Sequence, residues 1–319
     1  MTTVFVTAIG GDVAQGVARV IREGRPDWRI VGSDMGDRHG GGHFVDAFVR
    51  SPSARDRAYL DWLEDQLRLS GATFCIPMNE AEIARIVASG TVALAGAALV
   101  TAGKKAIDVA SDKVRTARFL SSIGLPAPWV AETADDIPSG GFPCICKPRD
   151  GAGSRAVYIC ADAAEAAFFE RRHPGAMFQE LLLPDDAEVT CAVFRAADGA
   201  TAVLQLQRRL VGGATGWAEV IDDPEVTRHC TRIAEALALR GAFNVQLRRT
   251  PAGPRVFEIN ARFSSTALMR HRLGFSDVLW TLDDLAGRKP QITLPRPGQR
   301  VARIQDAVIL SPTYSGIAS

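Results

Sequence analysis

The sequence predicts an α/β protein, α+β over its whole length, with an N-terminal βαβ-type domain and a larger region dominated by strands. Three observations carry this. Up to about residue 103, short apolar runs alternate with helical patterns, which indicates βαβ units and a parallel sheet. From Phe142 onward the text turns to strand-like stretches separated by Gly-rich turns. The chain has 319 residues and 47% hydrophobic content. That exceeds a single compact unit of about 100–200 residues.

The elements follow in order. "TVFVTAI" is an apolar strand, and Gly10-Gly11 opens the helix "DVAQGVARVIREG". "WRIVGSD" and "TFCIPM" are strands; "RAYLDWLEDQLRLSG" and "EAEIARIVASG" are helices. "SDKVRTARFLSSIGLPAP" is a capped helix: Ser111 or Asp112 suits the N-cap, Gly124 the C′ position, and Pro126 lies beyond. "FPCICKP" and "AVYIC" are strands flanking the Gly-rich "RDGAGSRA". "AMFQELLL", "AEVTCAVFRA" and "AVLQLQRRLVGG" are further strands, followed by a Gly-rich stretch, "GGATGWAEV". "VTRHCTRIAEALALRG" is a helix, "AFNVQLRRT" and "RVFEINARF" form a hairpin across "PAG", and "DVLWTLDDLAGRKP" is a closing helix. After Pro295 one more strand is expected in "RVARIQDAVIL".

Several function classes are disfavoured. Net charge is +1 without a basic block, so no nucleic-acid partner is expected. "MTTVFVTAIGGDVAQG" lacks the basic region of a signal peptide, and "TVALAGAALVTA" is shorter than the roughly 20 residues of a membrane span. A soluble, cytoplasmic protein is expected. The six cysteines, Cys75, Cys144, Cys146, Cys160, Cys191 and Cys230, sit in apolar runs with no CxxC, the pattern of buried reduced thiols. "HGGGH" (residues 39–43) suggests a metal or oxyanion loop, against the expected reading as a flexible exposed turn. "IGGDVAQG" misses the G-x-G-x-x-G spacing, and a dinucleotide site survives as an alternative only because Asp34 follows the second strand.

The chemistry concentrates in two places. In "VFEINARFSS", period-two alternation puts Phe257, Ile259, Ala261 and Phe263 on one face and Glu258, Asn260 and Arg262 on the other. If Pro251, Ala252 and Gly253 form a three-residue loop, Thr250 faces Pro254, Gln246 lies opposite Glu258, and Asn244 opposite Asn260. A slip of two residues would instead pair Arg248 with Glu258. Oxygen ligands without His or Cys suit Mg²⁺, and Arg262 beside them suits a phosphate or carboxylate; the alternative is a Glu–Arg ion pair on a solvated sheet. In "CICKPRDGAGSRAV", Lys147 ends a strand and Gly151, Gly153 and Ser154 follow, as a polyphosphate site requires. No P-loop motif occurs.

Together with Lys113 in "SDKVRTARFL" and "FQELLLPDDAEVT", these motifs resemble, in order, the ATP-grasp superfamily, most nearly its carbamoyl-phosphate-synthase-like and pyrrolysine-biosynthesis-like carboxylate–amine ligases. The resemblance covers nearly the whole chain. It implies a pre-ATP-grasp domain (1–103), a small lobe with the Gly-rich loop (104–182), a large lobe with a metal-binding hairpin (183–295) and a tail (296–319). It further implies that Lys113 and Lys147 hold the α- and β-phosphates of ATP, with Gly151, Gly153 and Ser154 over the triphosphate. Residues 180–183, with Glu180, Leu181 and Leu183, would form the adenine hinge, and Glu188 would accept the ribose hydroxyls. Gln246, Glu258 and Asn260 would bind Mg²⁺ or Mn²⁺, and Arg262 would meet the γ-phosphate or an acyl phosphate. Two departures stand out: Ala156 where relatives often have Gly, and Ala261 where many have Pro.

The implied reaction is ATP-dependent amide or peptide bond formation between small molecules through an acyl phosphate, with ADP and phosphate released. Arg208 or Arg209 would clamp the substrate and Trp217 would cover it, or Trp217 simply packs. Arg270 and His271 either reach the substrate or end a solvated helix. Expected partners are a small-molecule carboxylate and amine, with a homodimer allowed. The alternatives are carboxyphosphate-type chemistry and a non-catalytic nucleotide-binding regulator.

Overall fold

A computed structural model describes residues 1–150 and 156–310. β1 (Thr3–Val6) is buried throughout, as a parallel strand covered on both faces must be. It leads into α1 (Asp12–Gly24) and then β2 (Arg29–Asp34), β3 (Ala47–Arg50), α2 (Tyr59–Ser70), β4 (Phe74–Ile76), α3 (Glu80–Ala88), β5 (Ala93–Leu94) and β6 (Ala97–Leu99). The sheet order is β3-β2-β1-β4-β6-β5, parallel except for β5. β3, β5 and β6 escaped the sequence reading because two to four residues are too few to show a period.

α4 (Lys104–Ala110) and α5 (Lys113–Ser122) follow. Asp112 is the N-cap of α5, its Oδ1 accepting from the N–H groups of Val114 (2.8 Å) and Arg115 (3.1 Å). A second sheet, ordered β7-β10-β8-β9, comprises β7 (Val130–Ala131), β8 (Cys144–Pro148), β9 (Tyr158–Cys160) and, after α6 (Ala163–Arg172), β10 (Ala176–Glu180).

The third sheet is antiparallel. It contains β11 (Glu188–Arg195), β12 (Thr201–Val211), β13 (Ala214–Ile221) and, after α7 (Pro224–Ala236), β14 (Gly241–Thr250) and β15 (Gly253–Asn260). α8 (Ala267–Arg272) and α9 (Asp277–Leu285) pack beneath it, and β16 (Arg300–Ala302) pairs with β13. "GGATGWAEV" is therefore a strand: Gly212 and Gly213 make the turn and Ala214 begins β13. One face of the sheet buries Val193, Phe243 and Leu247 against Cys230 and Ile233 of α7. The other joins Phe194, Leu204 and Val220 to α1, α8, α9 and the first sheet in a single apolar core. That shared core fixes the N-terminal sheet relative to the hairpin β14–β15.

Two loop expectations change. Residues 39–43 are not a flexible exposed turn: Gly40–Phe44 is a 3₁₀ turn with Gly41 and Gly42 buried. A Cβ on Gly41 would lie 2.1 Å from the Ile9 carbonyl oxygen, and His39 Nδ1 accepts from the Gly41 N–H. Among the described residues, no group of three His, Cys, Asp or Glu could hold a metal ion. All six cysteines are buried and free.

"MRHRLG" is neither a substrate arm nor a solvated helix end. Arg270 is fully buried and pairs with buried Asp277 at 3.2 Å, and His271 meets Ser276. Removing one partner strands the other charge in the core. Asp277→Ala should cost about 3–5 kcal/mol in urea unfolding, as breaking a buried pair does; a loss below about 1 kcal/mol would mean the guanidinium reaches water.

Candidate active site

The hairpin reaches the expected pairing by an unexpected route. Its turn holds two residues, so Thr250 pairs with Gly253 rather than Pro254. A bulge between Gln246 and Leu247 then adds one residue on the β15 side, restoring Gln246↔Glu258 and Asn244↔Asn260. The slipped register is excluded, because Arg248 faces Arg255. The bulge also corrects the face assignment. Val256 and Ile259 are buried in the core, while Phe257 and Glu258, consecutive in sequence, both line the same cleft. Phe257 belongs to the site and not to the apolar face.

That cleft, about 420 Å³, lies between the second and third sheets. Ile145, Val157, Leu182, Leu210 and Phe257 give it apolar walls. Lys113, Lys147, Glu188, Arg208, Gln246 and Glu258 give it a charged floor. Lys147 is only 8% exposed, with its ammonium 5.7 Å from the Phe257 ring centre. Burial pushes its pKa down to about 8; Glu258 and Glu188 oppose this and Lys113 adds to it.

Two arginines hold Glu188. Its Oε1 accepts from Arg208 Nε at 3.0 Å and from Arg208 Nη2, and its Oε2 from Arg248 Nη2 at 3.2 Å. Arg208 Nη2 also donates to Gln246 Oε1 at 3.0 Å. Arg248 Nη1 donates to the Leu182 carbonyl at 2.5 Å, which fixes the crossing from β10 to β11. Glu180 and Leu182 line the cleft; the side chain of Leu181 does not, and Leu183 is 54% exposed.

A second cavity, about 690 Å³, lies between the first sheet and the hairpin. The starts of α1 (Gly11, Asp12) and α3 (Asn79, Glu80) line it, with Arg55, Asn260 and Arg262. Arg262 crosses to α3, donating to Glu80 Oε1 at 3.1 Å. The two cavities share Lys113, Asp150 and Glu258. Lys113 is set there by its own backbone: its N–H donates to the Arg149 carbonyl, while the Arg149 guanidinium binds Asp112 at 2.8 Å and Glu132 at 2.5 Å. Burial raises the Asp112 pKa, but Arg149 and the capped N–H groups outweigh it and hold the carboxyl below its ordinary range.

The structure thus brings together Lys113, Lys147, Glu188, Gln246, Glu258, Asn260 and Arg262. Gln246 and Glu258 face each other across adjacent strands, with Asn260 two residues beyond Glu258. This all-oxygen donor set fits a hard cation. Gly151, Gly153 and Ser154 lie outside the described residues. Ala156 has a left-handed φ of 55°, a conformation glycine adopts without strain. Arg209 and Trp217 pair across β12 and β13 but line neither cavity. Arg208 and Leu210 enter the first cleft instead of a substrate end. Arg55, Asn79 and Glu80 were missed, because sequence carries no signal for loops that meet only in three dimensions. Asp34 accepts from the N–H groups of Gly10 (2.9 Å) and Gly36 (3.0 Å), one on each carboxylate oxygen.

A family model described as ATP-grasp in the biosynthetic pathway with Ter operon matches residues 174–307. The chain is 28% identical over 182 residues to the multifunctional protein pyr1-3 of Dictyostelium discoideum; this is 50% of the chain and only 8% of that protein's length. Among solved structures, an ADP complex of N5-carboxyaminoimidazole synthetase from Staphylococcus aureus superposes with a TM-score of 0.74 at 14% identity, covering 94% of this chain and 80% of that one. L-amino acid ligase from Bacillus licheniformis superposes with a TM-score of 0.70 at 16% identity, covering 94% and 78%. With one cleft between the second and third sheets and a second cavity between the first sheet and the hairpin, the chain has the ATP-grasp fold.

Proposed function

We propose that the protein is an ATP-dependent carboxylate–amine ligase that joins small molecules, amino acids among them, by an amide bond through an acyl phosphate. One observation carries this: the charged cleft and the larger cavity share an edge at Lys113, Asp150 and Glu258. The apolar walls of the cleft suit a nucleobase, and Lys113 and Lys147 in its charged floor suit phosphates. The terminal phosphate would then reach the shared edge, where a carboxylate held in the second cavity can attack it. Lys113 and Lys147 would bind the α- and β-phosphates and Glu188 the ribose, with the 180–183 crossing along the base. Gly151, Gly153 and Ser154 are proposed to cover the phosphates.

Gln246, Glu258 and Asn260 would hold Mg²⁺, which supplies charge neutralisation for phosphoryl transfer. Arg262, anchored on Glu80, would steady the acyl phosphate from the second cavity. Positioning and neutral charge are what this transfer requires. The amine would approach from the side of α1 and α3. Among the described residues no helix is long and apolar enough to cross a membrane, and six buried free thiols support a reducing compartment such as the cytoplasm.

A screen of amino-acid pairs with ATP and Mg²⁺, read by phosphate release and product mass, should yield ADP and phosphate in equal amounts. AMP as the stoichiometric product would contradict an acyl phosphate. With the substrates found, Glu258→Gln should leave the melting temperature nearly unchanged and lower kcat about a hundredfold, roughly 3 kcal/mol of barrier. A normal kcat at low Mg²⁺ would reduce Glu258 to a structural ion-pair partner.

Lys147 makes nucleotide binding depend on pH. In the free protein its ammonium loses the proton near pH 8. A bound phosphate favours the charged form and raises that pKa, so the complex holds more protons than the free protein from about pH 8 upward. ADP binding should therefore take up protons at pH 8–9 and weaken as pH rises through that range. Calorimetry in buffers of different ionisation enthalpy measures the uptake, which Lys147→Met should abolish; uptake persisting in that variant would place the titrating group elsewhere.

A further inference from the structure

The Arg208 guanidinium donates to one of the proposed metal ligands. Its side chain is only 9% exposed. Through Nε and Nη2 it grips Glu188, and through Nη2 it also grips Gln246 Oε1 at 3.0 Å. Nη1 lies 3.4 Å from Thr215 Oγ1. Gln246 Oε1 is therefore already donated to by a fixed positive charge, directly across from Glu258. A carbonyl oxygen has a second lone pair, but a divalent ion on it would meet the guanidinium at close range in a poorly solvated cleft, where like charges repel strongly.

We propose that Arg208 is a resident cation that holds the metal's place, so that divalent metal enters only together with nucleotide. The proposal rests on reading Gln246, Glu258 and Asn260 as metal ligands. A nucleotide changes the balance in two ways. Its phosphates neutralise the added charge, and their oxygens offer the planar guanidinium fork new acceptors in place of Gln246. Arg208 is thus a positioning residue that sets binding order. Arg248 also neutralises Glu188, from the other side, but its hydrogen bonds go to Leu182, Asp185 and Glu188 and not to Gln246. It supplies a natural contrast.

Mn²⁺ binding followed by electron paramagnetic resonance, with and without ADP, tests this without any turnover. Wild-type protein should bind Mn²⁺ tightly only with ADP present. Arg208→Met should bind Mn²⁺ without ADP at least tenfold more tightly than wild type, and Arg248→Met, compared only in the measurement without ADP because Arg248 braces the nucleotide cleft, should show the wild-type affinity. Arg208→Lys keeps the charge but cannot fork, and should show a smaller gain; it also serves if the methionine variant does not fold. Equal Mn²⁺ affinity without ADP in wild type and both Arg208 variants overturns the proposal while leaving the ligase reading intact. If wild-type protein binds ADP but no Mn²⁺ beside it, the metal-ligand reading fails and takes this proposal with it.

Discussion

The site depends on a single extra residue in the β14–β15 hairpin. A strand with strict alternation would send Phe257 into the core with Ile259 and leave Glu258 alone above the sheet. The bulge lets Val256 take the core position instead. Phe257 then forms part of the apolar wall and Glu258 part of the charged floor of one cleft. Bulges re-aim side chains at such places at the cost of a ladder hydrogen bond. Here the same device restores the Gln246–Glu258 pairing that the short turn would have shifted by one residue.

Charge explains the rest of the arrangement. Lys113, Lys147, Arg208 and Arg248 crowd around Glu188 and Glu258 in a cleft with apolar walls. Packing alone gives no reason to collect so many ions, since burying an ammonium such as Lys147 lowers its pKa and strains the charged form. Asp150 and Glu180 line the same cleft, so acids and bases are equal in number, and a polyanion needs a divalent cation beside it. Arg262 lies across the shared edge, tied to Glu80 of α3, so the hairpin and the elements around the first sheet meet at the point where chemistry is proposed. A purely nucleotide-binding regulator would not need the second cavity.

Much of this was legible in the sequence where one stretch of chain carried the whole signal. The capped helix at Asp112, the strand ending at Lys147 and the polar row at Glu258 and Asn260 each show a local pattern backed by local physics. The partners of those residues were not legible. Arg208 looked like a substrate clamp because its sequence neighbours are Arg209 and a Gly-rich turn, yet its contacts, Glu188 and Gln246, come from two other strands. The bulge at Phe257 was hidden because the shorter turn and the extra residue cancel in the count. Arg270 read as a substrate arm or a solvated helix end because its ion-pair partner, Asp277, stands on the next helix. Arg55 and Glu80 join the site only when the shared apolar core docks the first sheet on the third.

The central claim is that nucleotide and metal converge on Glu258 at the edge joining the two cavities. A crystal structure with Mn²⁺ and a non-hydrolysable ATP analogue tests it most directly, through the anomalous signal of the metal. The account predicts the base between Ile145, Leu182 and Phe257, and a Mn²⁺ peak coordinated by Glu258 and Asn260. A nucleotide in the N-terminal domain near Asp34, or a metal peak away from Glu258, would contradict it.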